Sequence, residues 1–263
     1  MNHRPKKRFG QNFLRDSRIV DRILGAADLG ADERVLEVGP GLGVLTDRLL
    51  GLAGEVVAFE IDRDLAEQLQ KRPDPRLTVH LGDALQMDWA ALLPHPPYKL
   101  VANLPYNISS QILFRILDHR DRFGRLVLMF QKEVGDRLCA LPGTKDYGVL
   151  SVFCQLWFDI RKVVTVPPGA FFPPPKVTSV VLAFDPLATP RASVGDEAFF
   201  RRVVKAAFAQ RRKTLRNTLI AAGFPREAVE AALVRAGIDP GRRGETLDLK
   251  EFARLADELA EAP

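Results

Sequence analysis

From Arg34 to Phe130 the chain alternates short β-branched runs with stretches whose apolar residues recur every third or fourth position. Val35–Val38, Val56–Ile61, Leu77–Leu81, Lys99–Ala102 and Leu126–Phe130 are predicted strands; Leu42–Leu50, Asp64–Lys71 and Ser109–Leu117 are predicted helices. Strands separated by helices pair in parallel through crossovers, and the helices cover both faces of the sheet. The alternation therefore confines this part of the chain to an α/β fold with a mainly parallel sheet.

The pattern changes further on. Glu133–Ala140 and Val149–Phe158 are predicted helices, and Val163–Val166 and Val180–Phe184 two more strands, expected as an antiparallel pair closing the sheet edge. Between those strands lies the cluster Phe171-Phe172-Pro173-Pro174-Pro175. Asp185–Pro190 is a predicted linker. Beyond it no strand pattern recurs, and Phe199–Ala209, Lys213–Ala222, Arg226–Ala236 and Leu249–Leu259 are predicted helices. The last has a complete start signal: Asp248 as cap, Glu251 three residues on, and Leu247 against Phe252 as a staple. The expected division is a first domain over 1–186, with a basic segment at 1–22, and a small all-α domain over 187–263.

Several classes of chemistry are excluded at this level. Cys139 and Cys154 sit in apolar helical stretches and are expected as reduced core thiols. His3, His80, His95 and His119 show no metal-ligand spacing, so no metal is expected. The basic N-terminus lacks the apolar stretch of a secretory signal, and no apolar run has the length of a membrane span. A soluble, cytoplasmic protein is expected.

The first strand runs into Glu37-Val38-Gly39-Pro40-Gly41-Leu42-Gly43. Glycines at a strand-to-helix turn let the backbone approach a ligand and aim the helix start at it. Val44 stands where a GxGxxG dinucleotide fingerprint needs its last glycine, which weakens a dehydrogenase reading. Glu60 ends the second strand, suited to ribose hydroxyls, and Asp83 ends the third in Gly82-Asp83-Ala84, suited to an adenine amino group. Each acid alone reads equally well as a helix cap. Three successive strand ends offering contacts to one nucleoside are a stronger signal.

The fourth strand ends in Asn103-Leu104-Pro105-Tyr106, the most specific motif in the chain. Taken alone, it is also an ordinary turn at a proline. It resembles the Asn/Asp-x-Pro-aromatic tetrad of S-adenosylmethionine-dependent methyltransferases acting on exocyclic amino groups. In that chemistry Asn103 and the Leu104 carbonyl accept both amino hydrogens, Pro105 keeps Leu104 extended, and Tyr106 stacks on the base, worth roughly 1–3 kcal/mol.

The resemblance extends further. Arg8-Phe9-Gly10-Gln11-Asn12-Phe13-Leu14, the glycine turn, Gly82-Asp83-Ala84, Asn103-Leu104-Pro105-Tyr106-Asn107-Ile108-Ser109 and Phe171-Phe172-Pro173-Pro174-Pro175-Lys176-Val177 occur in one order. In that order the chain, from about residue 8 to 255, resembles the small-subunit ribosomal RNA adenine N6,N6-dimethyltransferase family of the KsgA type. The resemblance implies a Rossmann-like class I methyltransferase sheet followed by a small all-α domain. It implies dimethylation of two adjacent adenosines near the 3′ end of small-subunit rRNA, with S-adenosyl-L-methionine as cofactor. Carried over, Asn12, Leu14, Gly39, Gly41, Glu60, Asp83 and Asn103 contact the cofactor. Asn103, Leu104 and Pro105 present the amino group, with Tyr106 and Phe172 flanking the adenine. Phe171 and Phe172 are both candidates for that second face, and the cluster also reads as a stiff loop with core phenylalanines.

The formal net charge of +5 hides a segregation. Residues 1–22 carry a local +5 and residues 198–217 a local +7, leaving the rest of the chain seven charges negative. The second cluster, Arg201, Arg202, Lys205, Arg211, Arg212, Lys213 and Arg216, suits RNA phosphates, although on helices it spreads around more than one face. The expected partner is small-subunit rRNA or the small ribosomal subunit, met by a monomer. Competing readings are a large-subunit rRNA adenine methyltransferase of the resistance type, disfavoured by Phe171–Val177 and the basic helix, and a mainly non-catalytic rRNA-binding assembly factor. A DNA adenine methyltransferase needs a separate sequence-reading domain for which 263 residues leave little room.

Overall fold

A computed structural model describes residues 5–6 and 9–261. Contacts divide the chain into two units: the residues up to Gly135 with Ile160–Pro186, and Asp136–Asp159 with everything from Leu187.

The first unit opens with the two-residue strand β1 (Phe13–Leu14) and helix α1 (Ser17–Ala27), capped by the Asp16 side chain. Then β2 (Arg34–Val38), α2 (Val44–Leu50), β3 (Glu55–Glu60), α3 (Arg63–Gln70), β4 (Leu77–Leu81), α4 (Trp89–Leu92), β5 (Tyr98–Asn103), α5 (Ser109–Asp118) and β6 (Phe123–Gln131) follow in order. Helix α6 (Lys132–Leu138) crosses the boundary between the units. The chain returns to this unit in β7 (Phe158–Val166), β8 (Phe171–Phe172) and β9 (Ser179–Pro186), of which β7 and β9 join the main sheet and β8 pairs with β1.

The main sheet has the order β4-β3-β2-β5-β6-β9-β7. β2 pairs in parallel with both β3 and β5, with Val35 opposite Val56 and Lys99. From β2 the chain steps outward to β3 and β4, then crosses back to β5 on the other side. Where the strand order reverses, the loops leaving β2 and β5 diverge and open a crevice at the carboxyl edge. Each central strand supplies core on both faces: Val35, Leu36, Leu100, Val101, Leu126 and Leu128 are fully buried. One face packs on Ile19, Val20, Ile23 and Leu24 of α1 and Leu45 and Leu49 of α2.

The β6–β9 pair is antiparallel, with Met129 opposite Val181. The predicted strand Val163–Val166 is the end of a longer one. β7 lies at the sheet edge, where Asp159, Arg161 and Lys162 face solvent and conceal the strand from an apolar pattern. The two-residue strands, which pair antiparallel with Phe13 opposite Phe172, were invisible to periodicity altogether.

The second unit holds α7 (Val149–Trp157), α8 (Glu197–Phe208), α9 (Leu215–Ala221), α10 (Arg226–Arg235) and α11 (Leu249–Ala260). Its core joins Phe200 and Val203 of α8 to Phe252 and Leu255 of α11, with the Tyr147, Phe208 and Phe252 rings spaced at 5.9 and 5.8 Å. The Asp248–Glu251 capping box is present at the start of α11, and Leu247 and Phe252 are both fully buried. Sequence reading places everything before residue 187 in one domain, whereas Asp136–Asp159 groups with the C-terminal helices. The reason is local: Leu187 and Arg191 donate backbone N–H bonds to Trp157 and Leu156 at 2.9 and 3.0 Å, and Gly143 donates to Glu245 at 2.7 Å. Cys154 is buried as expected, but Cys139 is exposed rather than a core thiol.

Candidate active site

The crevice at the switch point is an open pocket built wholly by the first unit. Asn12, Leu14, Gly39, Gly41, Glu60, Asp83, Asn103, Leu104, Pro105 and Tyr106 all stand on its wall, although they come from five separate stretches of sequence.

Its floor is the turn after β2. Gly39 and Gly41 have φ of 72° and 59°, conformations that strain any residue with a Cβ. A Cβ on Gly41 would also come within 3.0 Å of the Phe13 ring. The backbone at this turn is thus bare to the pocket. Glu60, at the end of β3, is almost completely buried. One of its carboxylate oxygens accepts from Gly41 N at 3.0 Å and the other from Asp62 N at 2.8 Å. Burial pushes its carboxyl above the usual range, with those two bonds opposing the shift. The cap of α3 is Asp62, so the helix-cap reading of Glu60 does not apply. Asp83 accepts from Leu85 N at 2.9 Å and lines the pocket as well.

Asn103 is the last residue of β5. Its side-chain NH2 donates to the Asn12 carbonyl at 3.1 Å, which leaves Oδ1 as the acceptor at the strand end. Pro105 closes the following turn by accepting from Ile108 N at 3.1 Å. The Tyr106 hydroxyl is 2.5 Å from Ser179 Oγ at the start of β9, which fixes the ring from its far end. Across β1–β8, Leu14 pairs with Phe171 and Phe13 with Phe172. Phe171 is buried at 4% exposure and Phe172 is 45% exposed, so only Phe172 offers its ring to a partner. Phe172 is not on the pocket wall; it is joined to it through Phe13.

Three features of this site escaped sequence reasoning. Leu42, Val44 and Ile61 line the pocket and are at least 36% exposed, an apolar lining suited to a flat heteroaromatic ring. Glu37 is buried at 1% exposure and accepts from Thr46 Oγ1 at 2.6 Å; burial pushes its carboxyl up to about 8. Lys6 Nζ lies 2.6 Å from Asp62 and 2.6 Å from Asp64, and Gln11 Nε2 donates to Asp62 at 2.9 Å. Against the desolvation of Asp62, these partners hold its carboxyl below the usual range. Together they clasp the N-terminal segment to the start of α3. Of these residues Glu37, Leu42 and Gln11 stand inside motifs legible in the sequence. Arg8, part of the N-terminal motif, lies outside the described residues.

The basic cluster divides by environment. Arg201 pairs with Glu197 at 2.8 Å, and Arg216 pairs with Glu230. Arg211 donates to the carbonyls of Lys145 and Tyr147 at 2.6 and 2.9 Å, and Arg202 stacks 4.6 Å above the Phe224 ring. Lys205 is exposed. Arg212 and Lys213 are exposed and have no ion-pair partner among the described residues. Among the described residues no His/Cys/Asp/Glu group could hold a metal, and no helix is long and apolar enough to cross a membrane.

Comparison with known proteins agrees with this geometry. The model of the family described as ribosomal RNA adenine dimethylase matches residues 2–261. A protein of Syntrophotalea carbinolica named ribosomal RNA small subunit methyltransferase A is 68% identical over 256 residues, covering 97% of each chain. The structure of a dimethyladenosine transferase from Plasmodium falciparum superposes with a TM-score of 0.82 at 28% identity, covering 95% of this chain and 98% of that one. The 23S rRNA methyltransferase ErmE gives a TM-score of 0.70 at 30% identity, covering 95% and 100%.

Proposed function

The chain belongs to the ribosomal RNA adenine dimethylase family, and on that premise we propose that the pocket between the β2 and β5 ends is its site of methyl transfer. The enzyme is a small-subunit rRNA adenine dimethyltransferase, dependent on S-adenosylmethionine. We read its targets as two adjacent adenosines near the 3′ end of that RNA. The observation that carries the assignment of the site is the fixed Asn103 side chain beside the bare glycine turn.

The residues present fit the cofactor. A turn with no Cβ at Gly39 and Gly41 admits a ligand against the backbone, and Glu60 keeps unshared lone pairs for ribose hydroxyls. Asp83 and the exposed faces of Leu42 and Ile61 suit an adenine ring, and Asn12 and Leu14 close the pocket from the N-terminal side. Bound there, S-adenosylmethionine supplies an electrophilic sulfonium methyl group.

The protein's own task is to make an amide-like nitrogen nucleophilic. The N6 lone pair of adenine is conjugated with the ring. In the first transfer Asn103 Oδ1 and the Leu104 carbonyl accept its two N–H bonds and draw the nitrogen toward a pyramidal geometry. The methylated nitrogen then releases a proton to solvent, and its one remaining N–H is held by one of the two acceptors in the second transfer. Pro105 holds Leu104 extended, so that carbonyl is aimed before substrate arrives. As positive charge grows on nitrogen the two acceptors bind it more strongly, which stabilises the transition state above the ground state. Tyr106, held by Ser179, and Phe172 flank the base. Adenine reaches this position only unstacked, because its amino group is otherwise paired. Arg212 and Lys213, exposed between α8 and α9, contact RNA backbone. We read the working form as a cytoplasmic monomer.

The test is transfer of labelled methyl groups to unmodified small ribosomal subunits, with large subunits as a parallel substrate. Wild-type protein labels adenosine in the small subunit alone. Asn103→Ala loses at least about 10²–10³ in kcat, the cost of removing one transition-state partner, with an unchanged circular dichroism spectrum. Full transfer by that variant overturns the mechanism. Labelling of large subunits only would favour the activity named for the ErmE neighbour.

A further inference from the structure

Arg15 immediately follows β1, and its backbone N–H donates to the Ala170 carbonyl at 2.8 Å, extending the pairing with β8 by one rung. This fixes the residue beside Phe172, and its guanidinium carbon lies 4.1 Å from the centroid of that ring. The side chain is exposed and makes no ion pair among the described residues. The neighbouring carboxylate is already taken: Asp16 accepts from Arg18 Nε at 3.3 Å and Nη2 at 3.2 Å.

Other arginines of this unit look different. Arg125 is matched to Asp185 at 2.6 Å, and Arg48 to Asp21 at 2.6 Å. Arg15 is instead a permanent cation, placed by an aromatic face, whose N–H donors have no acceptor among the described residues. Such an arrangement sets the position of a charge without neutralising it. An anion is the missing partner, and guanidinium suits a phosphate oxygen.

We infer that Arg15 is a substrate-positioning residue, gripping a phosphate of the target nucleotide while it braces Phe172. The inference rests on reading Phe172 as a flank of the target base. When the base enters between Tyr106 and Phe172, its sugar and phosphate stay at the rim, beside the ring on which Arg15 is stacked. One residue then couples the backbone grip to the orientation of the base. The contact is with charge, not sequence, so it acts on any nucleotide presented there.

The experiment compares Arg15→Ala, Arg15→Gln, Arg15→Lys and Phe172→Leu with wild type in the complete protein. Three quantities are read: cofactor affinity by calorimetry, KM and kcat on unmodified small subunits, and the salt dependence of RNA binding. Arg15→Ala and Arg15→Gln should raise KM by about tenfold and lower the log–log salt slope by about one. Arg15→Lys should keep the slope, because charge remains, while losing part of the bracing of Phe172. Cofactor affinity should not move in any Arg15 variant. Unchanged KM and slope in Arg15→Ala and Arg15→Gln, with Phe172→Leu impaired, overturn the phosphate contact alone. Full transfer by Phe172→Leu with a reduced slope in Arg15→Ala overturns the base-flanking reading and leaves the phosphate contact standing.

Discussion

At the scale of single residues, burial sets the chemistry of Glu37 more than its neighbours do. Its carboxyl is 1% exposed, its usual value of 4.5 is pushed up to about 8 by desolvation, and the Thr46 hydroxyl only partly opposes that. In the unfolded chain the same group ionises near 4.5. Between those values the folded protein keeps a proton that the unfolded chain has released. The contribution of Glu37 to stability is therefore complete below about pH 4.5, declines as pH rises toward 8, and is constant beyond. Glutamine has the shape and donor–acceptor pattern of the protonated acid and does not titrate. Glu37→Gln should match wild type near pH 4.5 and gain on it by roughly 1.4 kcal/mol per pH unit across the window. Thermal midpoints at pH 5, 6.5 and 8 measure this directly. Parallel curves for the two proteins would show that Glu37 is ionised in the fold. Asn103 is the complementary case, a neutral side chain whose orientation is everything. Its donor end is occupied by Asn12, so its acceptor end is decided before any substrate binds.

Elements explain why residues 9–14 join a site whose other parts lie far along the chain. The N-terminal segment crosses the pocket as a strap, fastened at one end by β1–β8 pairing and at the other by the Lys6–Asp62–Gln11 clasp. Asp62 serves two structures at once, because its side chain also caps α3. Asp62→Asn and Asp62→Ala separate these roles. The asparagine keeps a capping oxygen but loses the charge, so its thermal stability should change little. Hydrogen exchange of the Gln11–Leu14 amides should nevertheless rise. The alanine should show the same loosening and lose about 1 kcal/mol for the missing cap. Protection of those amides in both variants would mean that β1–β8 alone holds the strap. This element also marks the limit of what the sequence discloses. β2, β3, β5 and β6 were legible because they are central strands buried on both faces, with near-continuous apolar runs. The ends of these strands, Gly39, Glu60 and Asn103, were legible with them. β1 and β8 are two residues each and have no period, and their pairing spans more than 150 positions. β7 hides behind the charges of an edge strand. The clasp depends on Lys6 meeting Asp62, a contact that only the fold creates.

For the whole molecule, net charge and available charge are different quantities. In the N-terminal cluster Lys6 is committed to Asp62 and Asp64, and Arg18 to Asp16, while Arg15 has no acidic partner among the described residues. In the second cluster Arg201 and Arg216 are paired with glutamates, and Arg211 holds two backbone carbonyls of its own unit. A count of basic residues therefore overstates what RNA can use. The exposed Arg212–Lys213 step between α8 and α9 has no such internal duty among the described residues. Two classes of variant should then behave oppositely. Arg212→Ala with Lys213→Ala should leave the thermal midpoint and cofactor affinity unchanged. It should weaken binding to small subunits and lower the log–log salt slope by about two, one for each lost phosphate contact. Arg211→Ala should lower the midpoint by roughly 1 kcal/mol of stability, since its two carbonyl bonds are at a half-exposed site. Its salt slope should stay near wild type, because that guanidinium is already directed inward to Lys145 and Tyr147. Salt titrations of binding, run beside thermal melts on the same preparations, distinguish the two classes. A double variant with an unaltered slope would show that this step is solvated surface, and that the RNA is gripped elsewhere.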